Sequence, residues 1–446
     1  MELRRKIYEK LVEWKKRNGQ TALLIEGARR VGKSHIAELF AKNEYKSYVF
    51  IDFSRVSGEI LDVFEHDIMD LNTFFYKLSI FYGVKLFERD TLFVFDEVQL
   101  YPKARQLIKH LVADGRYDFL ETGSLITLKR NVQNIVIPSE EEHLEMFPLD
   151  FEEFLWAMGD DMTYDYVRNC YNNRVALGDA IHRKTMNLFK QYMLVGGMPQ
   201  SVLKYIANKE FEECDRVKRQ ILELYRSDVT KFAAGYESKV LDIFDGIPSQ
   251  LSKHEKRFVL SSIDKEARFR EYQDAFMWLS DAKIINTCFN SSDPNAGLGI
   301  SSDRMTLKCY MADTGLLFSH AFSDNMLTEE EVYKAILFDR LSLNEGMFLE
   351  NIVAQMLRCR GHKLFFYSCS DRENKENRME IDFLIREGKR ISPVEVKSSV
   401  YNRHSSLDKF KAKFGKKIGD RYIVYTKDYK KEDDIIYLPV YMVLCM

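Results

Sequence analysis

Residues 21–43 read TALLIEGARRVGKSHIAELFAKN. A short β-type run feeds a glycine-bracketed loop that opens a helix, and the loop satisfies GxxxxGK[ST] in the strand-to-helix context that this pattern requires. A Cβ at Gly27 or Gly32 would obstruct a loop whose backbone N–H groups turn inward to cradle phosphate oxygens. Gly27, Ala28, Arg29, Arg30, Val31, Gly32, Lys33 and Ser34 are therefore the expected nucleotide-binding residues. Lys33 is placed to reach the β- and γ-phosphates and Ser34 to offer Mg2+ a hydroxyl, so ATP and Mg2+ are the implied cofactors.

Outward from this loop, strand-like runs recur as KSYVFIDF (46–53), TLFVFDE (91–97) and YDFLETGS (117–124), separated by helical stretches such as ARQLIKHLVAD (104–114). Strands alternating with helices predict an α/β fold with a parallel sheet covered on both faces. TLFVFDE ends in two carboxylates where strand ends meet the ligand crevice of such a sheet. Asp96 is the expected Mg2+ ligand and Glu97 the group that orients or deprotonates the attacking water. Thr122 and Ser124, at the end of the next strand, are candidates to place a hydroxyl near the γ-phosphate.

Beyond residue 150 the pattern turns helical through Phe232, interrupted by the turn GGMP (196–199), and Arg226 in this region is a candidate phosphate contact. Short helical candidates then precede two β-rich runs, AKIINTCFN (282–290) and MTLKCYMAD (305–313), an order that suits a winged helix. The last part begins with the helix EGMFLENIVAQMLRCRG (345–361) and continues through KLFFYSC, EIDFLIRE and SPVEVKSS to DRYIVYT and PVYMVLC, the last read as a strand. The expected organisation is a nucleotide-binding core over 1–150, a helical lid over 151–235, a winged-helix-like region over 236–335 and an α/β domain over 336–446.

In that last domain Glu350 sits on a helix, Asp382 in EIDFLI, and Glu395 and Lys397 on SPVEVK. Alternation along a strand points Glu395 and Lys397 the same way, so both can converge with Asp382. Asp382 and Glu395 are then candidate metal ligands, and Lys397 is placed to orient water or stabilise phosphate charge. With Glu350 they form the D…ExK arrangement of restriction-endonuclease-like nucleases.

The chain has 446 residues, 46% hydrophobic and 30% charged, with 8 Pro and 21 Gly. Such a composition excludes a disordered chain or a staple-dependent miniprotein. Its seven cysteines lack a CxxC pair and its nine histidines lack HExxH, so no zinc signature is present. The N-terminus has no apolar stretch of signal-peptide length and no window approaches a membrane span, so a cytoplasmic protein without membrane contact is expected. The formal charge of −2 conceals an uneven distribution: residues 131–167 carry ten Asp/Glu and no Lys or Arg, whereas 386–431 carry fourteen Lys/Arg against five Asp/Glu. The basic stretch includes Glu395 and Lys397, where a phosphate backbone would have to lie.

The runs GARRVGKS, FVFDEVQ, ETGS, MFPLDFEEFLWA, GGMPQSV, KCYMADTGLL, NEGMFLENIVAQML, EIDFLI and PVEVKSS together resemble a bacterial and archaeal family of AAA-type P-loop ATPases with a carboxyl-terminal domain of unknown function. The resemblance implies an ASCE-type ATPase core, a winged-helix-like middle and a PD-(D/E)XK nuclease-like tail. It supports Lys33, Ser34, Asp96 and Glu97 as the ATPase set and Glu350, Asp382, Glu395 and Lys397 as the nuclease-type set. Arg30 stands where Gln is commoner and Ser34 where Thr is commoner. Three functions follow as alternatives: an ATPase acting on or near DNA, a nucleotide-gated metal-dependent DNA nuclease, or a slow ATP-dependent regulatory switch whose catalytically silent nuclease-like tail binds nucleic acid or a protein. A homo-oligomer or protein partner is compatible with each.

Overall fold

Every residue of Ala22–Gly27, Thr91–Asp96 and Asp118–Gly123 is buried, as strands covered on both faces must be. In the computed structural model these are β1, β3 and β4 of a five-stranded, all-parallel sheet completed by β2 (Ser47–Asp52) and β5 (Glu141–Met146), in the order β2-β3-β4-β1-β5. Residues 2–124, 139–253, 255–263, 265–323, 330–337, 345–369, 378–399, 401 and 404–446 are described. They form two compact units, Arg4–Phe147 and Pro148–Met446.

The first unit buries an apolar layer on each face of its sheet. Leu23, Ile25, Val94 and Leu120 meet Ile36, Ala37 and Phe40 of the helix Lys33–Glu44 and Leu11 and Trp14 of Ile7–Lys15. On the other face Leu24, Phe93, Phe95 and Phe119 pack on Phe74, Phe75 and Leu78 of Leu71–Tyr82 and on Ala104, Ile108 and Leu111 of Pro102–Asp114. Truncating one of these Leu or Ile side chains to Ala costs about 2–5 kcal/mol, and one of the Phe or Trp side chains about 3–5 kcal/mol. Because β4 lies between β1 and β3, with Ile25 opposite Thr122, the chain ends that follow Gly27, Asp96 and Gly123 share one edge of the sheet.

Strand β5 was hidden in the carboxylate-rich stretch, since EEHLEM lacks apolar alternation. Of its acids Glu141 is buried and forms a bidentate pair with Arg105 (2.9 and 2.6 Å), and the partly exposed Glu142 accepts from Thr21 and Arg17. Further along, Asp150 and Glu153 form a capping box at Phe151–Ala157, and Arg168 pairs with Glu152. These carboxylates of the acidic stretch serve folding rather than forming a free charged face.

The second unit opens with helices Phe151–Ala157, Thr163–Asn173, Asp179–Val195, Pro199–Asn208 and Phe211–Phe232, then Glu237–Leu251 and Phe269–Asp281. A hairpin follows, β6 (Ile285–Ser291) and β7 (Ser302–Met311), and its β6 pairs in parallel with β8 (Phe365–Cys369), which pairs with β9 (Met379–Ile381). One four-stranded sheet thus joins the hairpin to the carboxyl-terminal part. A second sheet contains β10 (Phe383–Glu387), β11 (Arg390–Val396), β12 (Arg421–Tyr425), β13 (Lys430–Glu432) and β14 (Ile435–Pro439), in the order β10-β11-β12-β14-β13. PVYMVLC is not a strand: β14 ends at Pro439, and Val440–Cys445 form a buried 3-10 helix. Pro439 lacks a backbone donor to extend a ladder.

Candidate nucleotide site and carboxylate cluster

At the edge of the parallel sheet, Gly32 (φ +102°) and Arg30 (φ +69°) turn the loop after β1 through left-handed backbone, and Gly32 caps the helix Lys33–Glu44. A Cβ on Gly27 would stand 2.4 Å from the Met146 carbonyl oxygen, so only glycine lets β1 leave the sheet beside β5. Lys33 Nζ folds into the loop and donates to the Gly27 and Ala28 carbonyls, each at 3.0 Å. Burial lowers the pKa of Lys33, against the pull of the Glu97 and Asp96 carboxylates.

Asp96 closes the opposite side. Its carboxylate accepts from the Ser34 and Thr122 hydroxyls, and burial, aided by the neighbouring Glu97 and Asp52 charges, still pushes its pKa above the ordinary aspartate range. Thr122 Oγ1 also accepts the Glu97 N–H at 3.3 Å. Glu97 is held at φ +54°, an uncommon backbone for a residue with a Cβ, and its carboxylate accepts from Gln99 Nε2. Gln99 passes over Gly123, where a Cβ would lie 2.7 Å from Gln99 Oε1. Ser124 follows at the strand end, half-buried.

Lys33, Ser34, Asp96, Glu97 and Thr122 are thus one hydrogen-bonded and electrostatic group. The Ser34 hydroxyl beside the Asp96 carboxylate is a hard-oxygen pair suited to Mg2+, and the glycine cradle fits phosphate. Gln99 and Asp52 were not legible as site residues; a polar residue two positions after DE was the available signal for Gln99. Arg226, in the other unit, is paired with Asp245 (2.6 Å) and Glu223 (3.4 Å).

The carboxyl-terminal candidates also meet, but through residues that the sequence reading passed over. Lys308 of β7 is wholly buried and ion-paired with Glu350 (3.1 Å), Glu380 (2.7 Å) and Asp382 (3.3 Å). Lys256 pairs with the other Glu350 oxygen, and Tyr310 donates to Glu350. Burial opposes the Glu350 charge, yet the Lys308 and Lys256 ammoniums hold its pKa down at about 2. Asp382 Oδ2 accepts the Val396 N–H at 2.9 Å. Glu395 pairs with Lys397 at 2.7 Å and feels the Asp382 charge; burial raises its pKa. Lys308 and Tyr310 were signalled by KCYMAD, where two polar residues alternate with apolar ones on one strand face.

A parallel sheet with β4 inserted between the P-loop strand and the acidic strand is a P-loop nucleotide-binding fold. Residues 19–155 match the model of the AAA domain. Residues 186–326 and 345–443 match two domains of unknown function, DUF8612 and DUF4143. No curated protein matches the chain. Among solved structures it is similar to Drosophila ORC bound to DNA (12% identity, 76% of this chain and 97% of that one, TM-score 0.28). It is also similar to AMPPCP-bound DnaA from Aquifex aeolicus (14%, 62% and 84%, 0.25) and to the Pyrococcus furiosus Hef helicase domain (11%, 96% and 91%, 0.19). Among the described residues, no helix is long and apolar enough to cross a membrane.

Proposed function

We propose that the unit Arg4–Phe147 binds and hydrolyses ATP with Mg2+, and that the second unit couples turnover to an action on or near DNA. The observation that carries the ATPase reading is the convergence of Lys33, Ser34, Asp96 and Glu97 about a glycine cradle, with Thr122 bonded to both acidic residues. Lys33 exchanges the loop carbonyls for phosphate oxygens. Ser34 and Asp96 would hold Mg2+, which supplies charge neutralisation at the β- and γ-phosphates. Glu97, steadied by Gln99, takes the proton of the attacking water. Thr122 links the acidic pair and gives the strand end a hydroxyl that senses the γ-phosphate, with Ser124 beside it.

Purified full-length protein should hydrolyse ATP. Lys33→Ala should lose nucleotide binding, and Glu97→Gln should keep binding but lose about 10²–10⁴-fold in turnover. Indistinguishable binding and rates in all three proteins would reject the reading.

For the second unit, the helices Glu237–Leu251 and Phe269–Asp281 before the β6–β7 hairpin support a winged-helix-like reading, and the β10–β14 sheet with Asp382, Glu395 and Lys397 supports a nuclease-like one. The capture of Glu350 by two lysines favours binding over cleavage, and so favours the switch whose nuclease-like tail is catalytically silent.

A further inference from the structure

We infer that the resident cation of the carboxylate cluster is the Lys308 ammonium, standing where a divalent metal would otherwise stand between Glu350, Glu380 and Asp382. An ammonium has three hydrogens to donate, and Lys308 Nζ meets three carboxylates, at 3.1, 2.7 and 3.3 Å. Two of these carboxylates have further partners: Glu350 is held by Lys256 and Tyr310, and Asp382 Oδ2 by the Val396 amide. Mg2+ requires oxygens at about 2.0–2.1 Å. Bound to these same oxygens, it would stand within a few ångströms of a buried positive charge, a repulsion that the protein interior screens poorly.

Lys308 cannot withdraw cheaply. It lies within β7, opposite Cys288 of β6, and is wholly buried, so moving the ammonium out of the cluster means rearranging packed neighbours. The ammoniums come from residues 256 and 308 and the carboxylates from 350, 380 and 382. The cluster therefore fastens the hairpin to the carboxyl-terminal part, and the metal that a nuclease-type site implies does not fit this cage. Glu395 lies at its side with Oε1 buried and accepting no hydrogen bond among the described residues. That atom is where a metal would enter if the inference is wrong.

The test is Mn2+ binding to the full-length protein without nucleotide, followed by electron paramagnetic resonance and calorimetry. The wild type should bind no stoichiometric Mn2+ at micromolar to submillimolar concentration. Folded Lys308→Ala should gain one Mn2+ per chain, and adding Asp382→Asn should remove it. A wild-type site lost in Glu395→Gln or Asp382→Asn would overturn the inference, as would a folded Lys308→Ala that gains none. If Lys308→Ala does not fold, the wild-type titration and its Glu395→Gln and Asp382→Asn variants decide alone. The ATPase reading is untouched by either result, because the site is assigned through Lys308, Asp382 and Glu395, none of which belongs to the nucleotide loop.

Discussion

Glu121 lies on β4 beside Thr122 but faces the other side of the sheet, where it shares a hydrogen bond with Glu141. Burial, reinforced by the Glu141 charge, raises the Glu121 pKa well above the ordinary glutamate range. Glu141 goes the other way, to about 2: burial opposes its charge, but hydrogen bonds from Arg105 and His143 prevail. His143, bonded to Glu141 and Glu26, rises to about 9. The folded protein therefore holds a proton on Glu121 that the unfolded chain releases above about pH 4.5. Stability from this carboxyl is full below that pH and falls as pH rises toward the elevated folded value. Glu121→Gln keeps a donor to Glu141 without the proton. Urea denaturation at pH 5 and pH 8 should show a smaller loss of stability toward pH 8 in the variant; an identical pH dependence would refute the shared proton.

At the scale of elements, the turn GGMP and the run MADTG were legible as separate motifs, and the fold explains both by bringing them together. Asp313 caps the helix Thr314–Ala321 through the Leu316 N–H (2.9 Å) and also accepts the Gly197 N–H (2.6 Å). Asn351 and Gln355 of Glu345–Cys359 bond Met311 and Thr314. Backbone meets backbone at this junction: a Cβ on Gly315 would lie 2.5 Å from Gly196 Cα. Gly315→Ala should therefore cost about 1–3 kcal/mol or more by overpacking. Gly58→Ala, whose Cβ meets nothing within 4 Å, should be close to neutral. Equal midpoints for the two variants in chemical denaturation would contradict the close approach.

For the whole molecule, the basic surplus of 386–431 is thinner than its count. Arg421 lies between Asp408 and Asp434, Lys411 pairs with Asp434, Lys430 with Glu432 and Lys397 with Glu395. Lys389 and Arg390, at the β10–β11 turn, are exposed and offer themselves to a phosphate backbone. Duplex DNA affinity should fall steeply with salt, and replacing both residues with Ser should reduce the slope of log K against log salt by about 2. An unchanged slope in a filter-binding or fluorescence-anisotropy titration would remove this surface from the DNA reading.

GARRVGKS and TLFVFDE by themselves marked the glycine loop and the acidic strand end beside it, because local backbone demands and an apolar strand ending in carboxylates are written in contiguous residues. The parallel sheet was legible for the same reason, through runs of buried apolar residues. The strand EEHLEM was not, because its buried carboxylate, Glu141, becomes tolerable only when Arg105 arrives from elsewhere in the chain. Glu350 and Asp382 were legible as carboxylates but not as partners of Lys308. Only the tertiary structure decided that, since an ion pair between residues 308, 350 and 382 depends on how a hairpin meets a sheet, and spacing along the chain carries no record of that meeting.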